Sequence, residues 1–312
     1  MSLRQMEYFL AIVEQGSFTR AAEELMVTQS ALSHQVKALE RELGGELLER
    51  LPRSVRLTPM GRAFLPHAET AVRGARQARR AARAVGDGAS GELHLATLHA
   101  TAHGTLPPVL RAWRRQRPGT RVVLHEYATV PELEEAMAQG VADLAVGPPP
   151  TGWGGPLVTL GVEEYVFLLP DDDPLLGGPA GPARGRISVA ELADRSWIRC
   201  LMEPGLQGPG PAFLDRLCGE HGFAPRTAVL AHHTSTAIRL GVDGLGVVLC
   251  ASSLVPPELV GRVIGADPPL RRALTAYTRV AASGVVAVFL DTLRAHTVLV
   301  PPRLEERLRV GE

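Results

Sequence analysis

Apolar positions in the first forty-odd residues recur at helical spacing. Leu3, Met6, Phe9, Leu10 and Val13 line one face of a first amphipathic helix, which Gly16 stops. Ser17, Phe18 and Thr19 lead into a short second helix, Arg20–Leu25, with hydroxyls as caps and Ala21 and Ala22 small enough for close helix approach. Thr28 or Gln29 opens a third helix. Its stripe of Leu32, Val36, Leu39 and Leu43 is apolar, while Gln29, Ser30, Ser33, His34, Lys37 and Arg41 face the other way. This is a helix–tight turn–helix layout. Arg50, Arg53 and Arg56 then punctuate a segment that ends Val55-Arg56-Leu57-Thr58-Pro59, the pattern of a β-hairpin wing.

Thr58 and Pro59 begin a longer helix. Within it Phe64, Ala68, Ala71, Ala75, Ala78, Ala82 and Val85 recur at alternating steps of four and three, a heptad seam that predicts a partner helix. The alternative is a single surface helix packed on its own domain. Gly86–Gly91 reads as a hinge. Beyond it, apolar strands alternate with amphipathic helices, which argues for βα units and a largely parallel sheet. Expected strands are Leu93–Thr97, Val122–Glu126, Leu144–Gly147, Tyr165–Leu169, Trp197–Cys200, Ala228–Ala231, Gly246–Cys250 and Leu274–Thr278. Expected helices are Leu106–Gln116, Val130–Gln139, Ala212–His221, Ser235–Val242 and Val285–His296.

Length and charge sharpen this picture. A chain of 312 residues points to two domains. Net charge is zero, yet residues 1–86 hold 13 basic and 9 acidic groups, so the N-terminal end is basic and the remainder acidic. Such a split fits a polyanion-binding end, although ordinary surface variation accounts for a surplus this small equally well. No apolar run reaches the ~18 residues of a membrane span. The N-terminus lacks a secretory layout, and Cys200, Cys218 and Cys250 form no C-x-x-C pair, so a reducing cytoplasm is expected.

The polar face of the third helix carries DNA-reading chemistry: Gln for adenine, Ser and Thr for bases or phosphates, Lys and Arg for phosphates. The ordered segments Gly16–Ala22 (GSFTRAA), Val27–Ser33 (VTQSALS), Leu39–Gly44 (LERELG) and Arg56–Gly61 (RLTPMG) resemble the LysR-type transcriptional regulators across the whole N-terminal region. The resemblance implies that this region is an all-α winged helix-turn-helix that binds double-stranded operator DNA. Thr28, Gln29, Ser30, Ser33, His34 and Lys37 then lie in or beside the major groove, and Arg53 on the wing. His34 stands where many relatives carry arginine. A dimerising linker helix follows, with RNA polymerase as a further partner and a homotetramer, a dimer of dimers, as the assembly.

The resemblance continues through Pro107–Pro118, Gly140–Val146 and Gly241–Val248. It implies an α/β effector domain of the two-subdomain, periplasmic-binding-protein-like kind. The expected division is residues 1–58, a linker at 59–87 and an effector domain at 88–312. Subdomain one then comprises 91–163 plus 268–300, and subdomain two comprises 164–267. Open α/β sheets bind ligands at the carboxyl ends of strands, so His99, Ala100, Thr101, Thr129, Gly147, Cys200, His233 and Thr234 are the candidate contacts for a small, carboxylate-bearing effector. His99, His103, His232, His233, Cys200 and Glu203 could in principle gather round a metal. Histidines at strand ends more ordinarily hydrogen-bond or face water, so no metal or cofactor is expected. No G-x-S-x-G, H-E-x-x-H or P-loop is present, and Gly241-x-x-Gly244-x-Gly246 precedes a strand instead of following one. An enzyme is therefore not expected. A solute-binding protein or cleft enzyme with a fused helical domain would leave residues 1–60 unexplained.

Overall fold

Hydroxyl caps and left-handed glycines delimit the first helices as the sequence demands. In the computed structural model, Ser2 forms a capping box with Gln5 at the start of α1 (Leu3–Gln15), and Gly16 ends that helix at φ 60°. Ser17 caps α2 (Phe18–Glu24), and Thr28 caps α3 (Gln29–Leu43), which stops at Gly44 with φ 80°. The structure describes residues 1–51, 54–86, 91–177, 184–201, 204–205, 208–209 and 211–310. They form two compact units, Met1–Arg83 and Ala84–Glu312. Most of the expected hinge, residues 87–90, lies outside the described residues.

In the first unit Phe9, Ile12, Ala21, Leu32, Val36 and Leu39 share one core. Each large side chain buried there contributes roughly 1.5–3 kcal/mol. The hairpin β1 (Leu48–Leu51) and β2 (Ser54–Leu57) is antiparallel, with Leu48 opposite Leu57. α4 (Pro59–Gly86) follows. Its early turns lean on α1: the Phe9 and Phe64 rings meet edge-on at 5.4 Å, and Ala68 and Val72 are buried in the same core. Part of the predicted seam therefore faces its own domain. Ala75 is half-buried and Ala78 exposed, while the side chains of Ala82 and Val85 lie outside the described residues.

The second unit begins with β3 (Gly91–Leu98), α5 (His99–Gly104), α6 (Leu106–Gln116), β4 (Thr120–Tyr127), α7 (Val130–Ala138), β5 (Leu144–Gly147) and β6 (Leu157–Leu168). It continues with β7 (Arg186–Ile187), β8 (Ser196–Cys200), β9 (Pro204–Gly205), β10 (Gly208–Pro209), α8 (Pro211–Glu220), β11 (Arg226–Ala231), α9 (Thr234–Val242) and β12 (Val247–Ala251). It closes with β13 (Val263–Tyr277), α10 (Gly284–His296) and α11 (Pro302–Leu308). The main sheet runs β11-β8-β12-β6-β13-β5-β3-β4, with β7 attached to β13. Its two ends are parallel, but β6 and β13 form a long antiparallel ribbon through the middle. The sheet is thus mixed, and the expected strands Tyr165–Leu169 and Leu274–Thr278 are the ends of these two longer ones.

That ribbon joins two lobes with separate cores. One is built on Leu93, Leu95, Trp113, Leu144 and Phe289, the other on Tyr165, Phe167, Trp197, Val247 and Ile264. Charge pairs sit where the ribbon passes between the lobes: Arg272 with Glu163, and Arg186 with Glu164 at 2.6 Å. The Arg272 guanidinium also lies 5.1 Å from the Tyr165 ring centre. α11 crosses back as well. Its Leu304 and Leu308 are buried beside Val166, Leu168 and Ile198 in the second lobe.

Candidate functional site

Two surfaces carry the chemistry, one in each unit. On α3, Leu32, Val36 and Leu39 are fully buried, which turns Gln29, Ser30, His34 and Lys37 to solvent and leaves Ser33 half-buried. The face is polar because the apolar stripe is spent on the core. Thr28 sits at the helix start, where its hydroxyl accepts from the Ala31 N–H at 3.2 Å and lies 3.2 Å from the Ser30 hydroxyl. A hydroxyl engaged in capping still has room for a phosphate oxygen beside the exposed first turn. Gln35, on the flank, bonds the Gln5 amide at 3.3 Å, and the Arg41 Nε donates back to the Lys37 carbonyl at 3.3 Å. Arg53 lies outside the described residues; Arg56, on β2, is exposed. At the far end of α3, the Glu40 carboxylate accepts from the backbone N–H groups of Leu47 and Leu48 at 2.9 and 3.2 Å.

The second surface is a cavity of about 200 Å³ in the effector unit, lined by His99, Ala100, His103, His233, Thr234, Ser235 and Leu254. α5 begins directly after β3 and α9 two residues beyond β11, so strand ends and helix starts converge as in other open α/β folds. α9 has His233 at its N-cap with no side-chain cap bond, so its first-turn N–H groups are not consumed by a side chain. The His99 and His233 rings meet edge-on at 5.4 Å across the cavity. His99 Nδ1 is 3.1 Å from the Glu126 carboxylate, and His103 Nδ1 is 3.0 Å from the His99 carbonyl.

Of the eight candidate effector contacts, His99, Ala100, His233 and Thr234 line this cavity. The other four stand elsewhere. Thr101 is buried within α5. Thr129 is the N-cap of α7 in a capping box with Glu132 and does not line the cavity. The Gly147 carbonyl accepts from the Thr275 hydroxyl at 3.0 Å. Cys200 is buried behind Thr234, with its Sγ 3.5 Å from that hydroxyl. His103, Ser235 and Leu254 complete the wall and are not among those eight. Ser235 was within reach as the next residue of α9, whereas Leu254 follows β12 and no local pattern marks it. Among the described residues, which do not include Glu203, no group of three or more His, Cys, Asp or Glu side chains is placed to hold a metal. Nor is any helix among them long and apolar enough to cross a membrane.

Residues 3–62 match the family model for bacterial regulatory helix-turn-helix proteins of the lysR family, and residues 86–298 match that of the LysR substrate-binding domain. The chain belongs to the LysR family. Its fold is that of an N-terminal helix-turn-helix followed by the LysR effector-binding domain, and its function is that of a ligand-responsive, DNA-binding transcriptional regulator. Among its relatives, the HTH-type transcriptional regulator AlsR of Bacillus subtilis is 30% identical over 81% of this chain and 81% of its own length. ShiR of Corynebacterium glutamicum is 29% identical over 94% of this chain and the whole of its own. Full-length CbnR, solved with its target DNA, superposes with a TM-score of 0.65 over 95% of this chain and 99% of that one, at 24% identity. Both AlsR and ShiR are HTH-type transcriptional regulators.

Proposed function

We propose that this LysR regulator reads its operator with Thr28, Gln29, Ser30, Ser33, His34 and Lys37, with Arg53 on the wing. The observation that carries this reading is the division of α3 into a buried apolar stripe and an exposed face of hydrogen-bonding side chains. The Gln29 amide can bond an adenine edge in two places, while Lys37 neutralises phosphate. Replacing Gln29 with Ala should weaken operator binding by roughly 1–3 kcal/mol and binding to random duplex far less. Equal losses on both, in competition gel shifts, would refute base reading.

The effector is a small carboxylate-bearing molecule held in the 200 Å³ cavity by the α9 start, the Thr234 and Ser235 hydroxyls and the imidazoles of His99 and His233. A volume of that size suits a compact metabolite, and N–H and O–H donors at a helix start suit an anion. Operator affinity changes only in so far as the effector binds the alternative arrangements of the protein unequally. The protein acts in the cytoplasm as a homo-oligomer, paired through the later turns of α4 and assembled as a dimer of dimers, and RNA polymerase is its downstream partner. The double variant Thr234→Val, Ser235→Ala should abolish calorimetric heat from a panel of metabolite acids while leaving operator retention intact. Heat retained by that variant, or given only by neutral ligands, would relocate the site or change the ligand class.

A further inference from the structure

A carboxylate in the last turn of a helix opposes the macrodipole, so Glu40 on α3 is locally misplaced. Its tertiary contacts explain its presence. The carboxylate reaches beyond the helix end to accept from the N–H groups of both Leu47 and Leu48, at the root of the wing. Leu47 and Leu48 are themselves buried in the core of the first unit. The peptide on the other side of Leu47 is held too. Its carbonyl accepts from the Thr58 N–H at 3.0 Å, and a Cβ added at Gly61 would collide with that same oxygen. The first turn of α4 therefore presses on the strand that Glu40 grips from the recognition-helix side. Gly44 and Gly45, whose N–H groups donate to the Glu40 backbone carbonyl, make the short turn that brings the strand within reach.

We propose that Glu40 is a positioning residue for DNA recognition: without touching DNA, it sets the wing at a fixed distance and angle from the base-reading face of α3. This deepens the operator-binding reading and rests on it. Two charge-assisted bonds converging on one carboxylate oxygen hold two successive peptides of the strand, which a single bond would not. Wing and recognition helix then engage adjacent grooves in register, instead of each finding its own contact.

The test compares full-length wild type, Glu40→Ala and Glu40→Gln on a duplex selected by the wild-type chain from a randomised library. Gln keeps a carbonyl that can accept both N–H groups; Ala keeps neither bond. In Glu40→Ala, amide exchange at Leu47 and Leu48 should accelerate. Affinity should fall about tenfold, and hydroxyl-radical protection should vanish from the wing-proximal backbone while persisting beside α3. The salt slope should shrink by about one for each phosphate that the wing no longer neutralises. Glu40→Gln should restore all four. Accelerated exchange with an unchanged footprint would overturn the proposal, as would a Gln variant as impaired as Ala or uniform loss of protection. The exchange measurement needs no DNA, so failure of the wild type to select any duplex would instead count against operator binding itself.

Discussion

Met26, in the turn between α2 and α3, adopts φ 52°, the left-handed region, with its side chain 91% exposed. That conformation costs an L-residue about 1–2 kcal/mol, and so exposed a side chain recovers little of it through packing. Met26→Gly should therefore raise stability by about 0.5–1 kcal/mol, after allowing for glycine's greater entropy when unfolded, as read by thermal unfolding. Cys218 behaves in the opposite way. Burial, reinforced by the Asp215 charge, pushes its thiol up to about 12. In the native protein it should resist alkylation by iodoacetamide at pH 8 and react only after denaturation, which peptide mass spectrometry would reveal. Asp173 shows the competition of causes. Burial raises its pKa, but bonds from Arg195 and the Leu175 N–H, with the Arg195 charge, outweigh that and hold it below the ordinary aspartate value. Its contribution is complete above about pH 4 and disappears as pH falls through the depressed native value. Urea unfolding between pH 2 and 6 should show an acid limb that is shallower in Asp173→Asn.

At the scale of elements, periodicity and caps together made the helices legible. α6 is found where its spacing predicts, and α7, α8, α9 and α10 differ from their expected limits by a residue at one or both ends. α5 and α11 carry no sequence signature because six or seven residues are too few to display a period. Only the ends of the β6–β13 ribbon read as strand in the sequence. Glu163, Glu164, Arg271 and Arg272 make its middle read as polar loop, and it is tertiary pairing, across the ribbon and with Arg186 of β7, that neutralises them. The linker helix requires a similar reassignment. Ala71 packs partly against its own domain, so the position that tests the predicted seam is the exposed Ala78. Ala78→Asp should dissociate the oligomer without unfolding the first unit. Unchanged sedimentation would move the pairing surface elsewhere.

At the scale of the whole molecule, the cavity was half legible. Strand-end reasoning names both helix starts that line it, since topology alone puts them there. It also includes Thr129 and Gly147, because strand ends are legible in sequence but which of them open onto one cavity is not. Subdomain boundaries drawn at residue 300 likewise overlook what comes after. After α10 the chain leaves that lobe, and Leu304 and Leu308 of α11 fasten it into the other one. A stop codon after Val300 would remove two anchors worth roughly 1.5–3 kcal/mol each. Such a shortened product should lower the melting temperature and bind an exposed-hydrophobe dye. α11 thus works as a clasp, and trimming it to obtain a tidier crystallisation sample would leave the second lobe gaping.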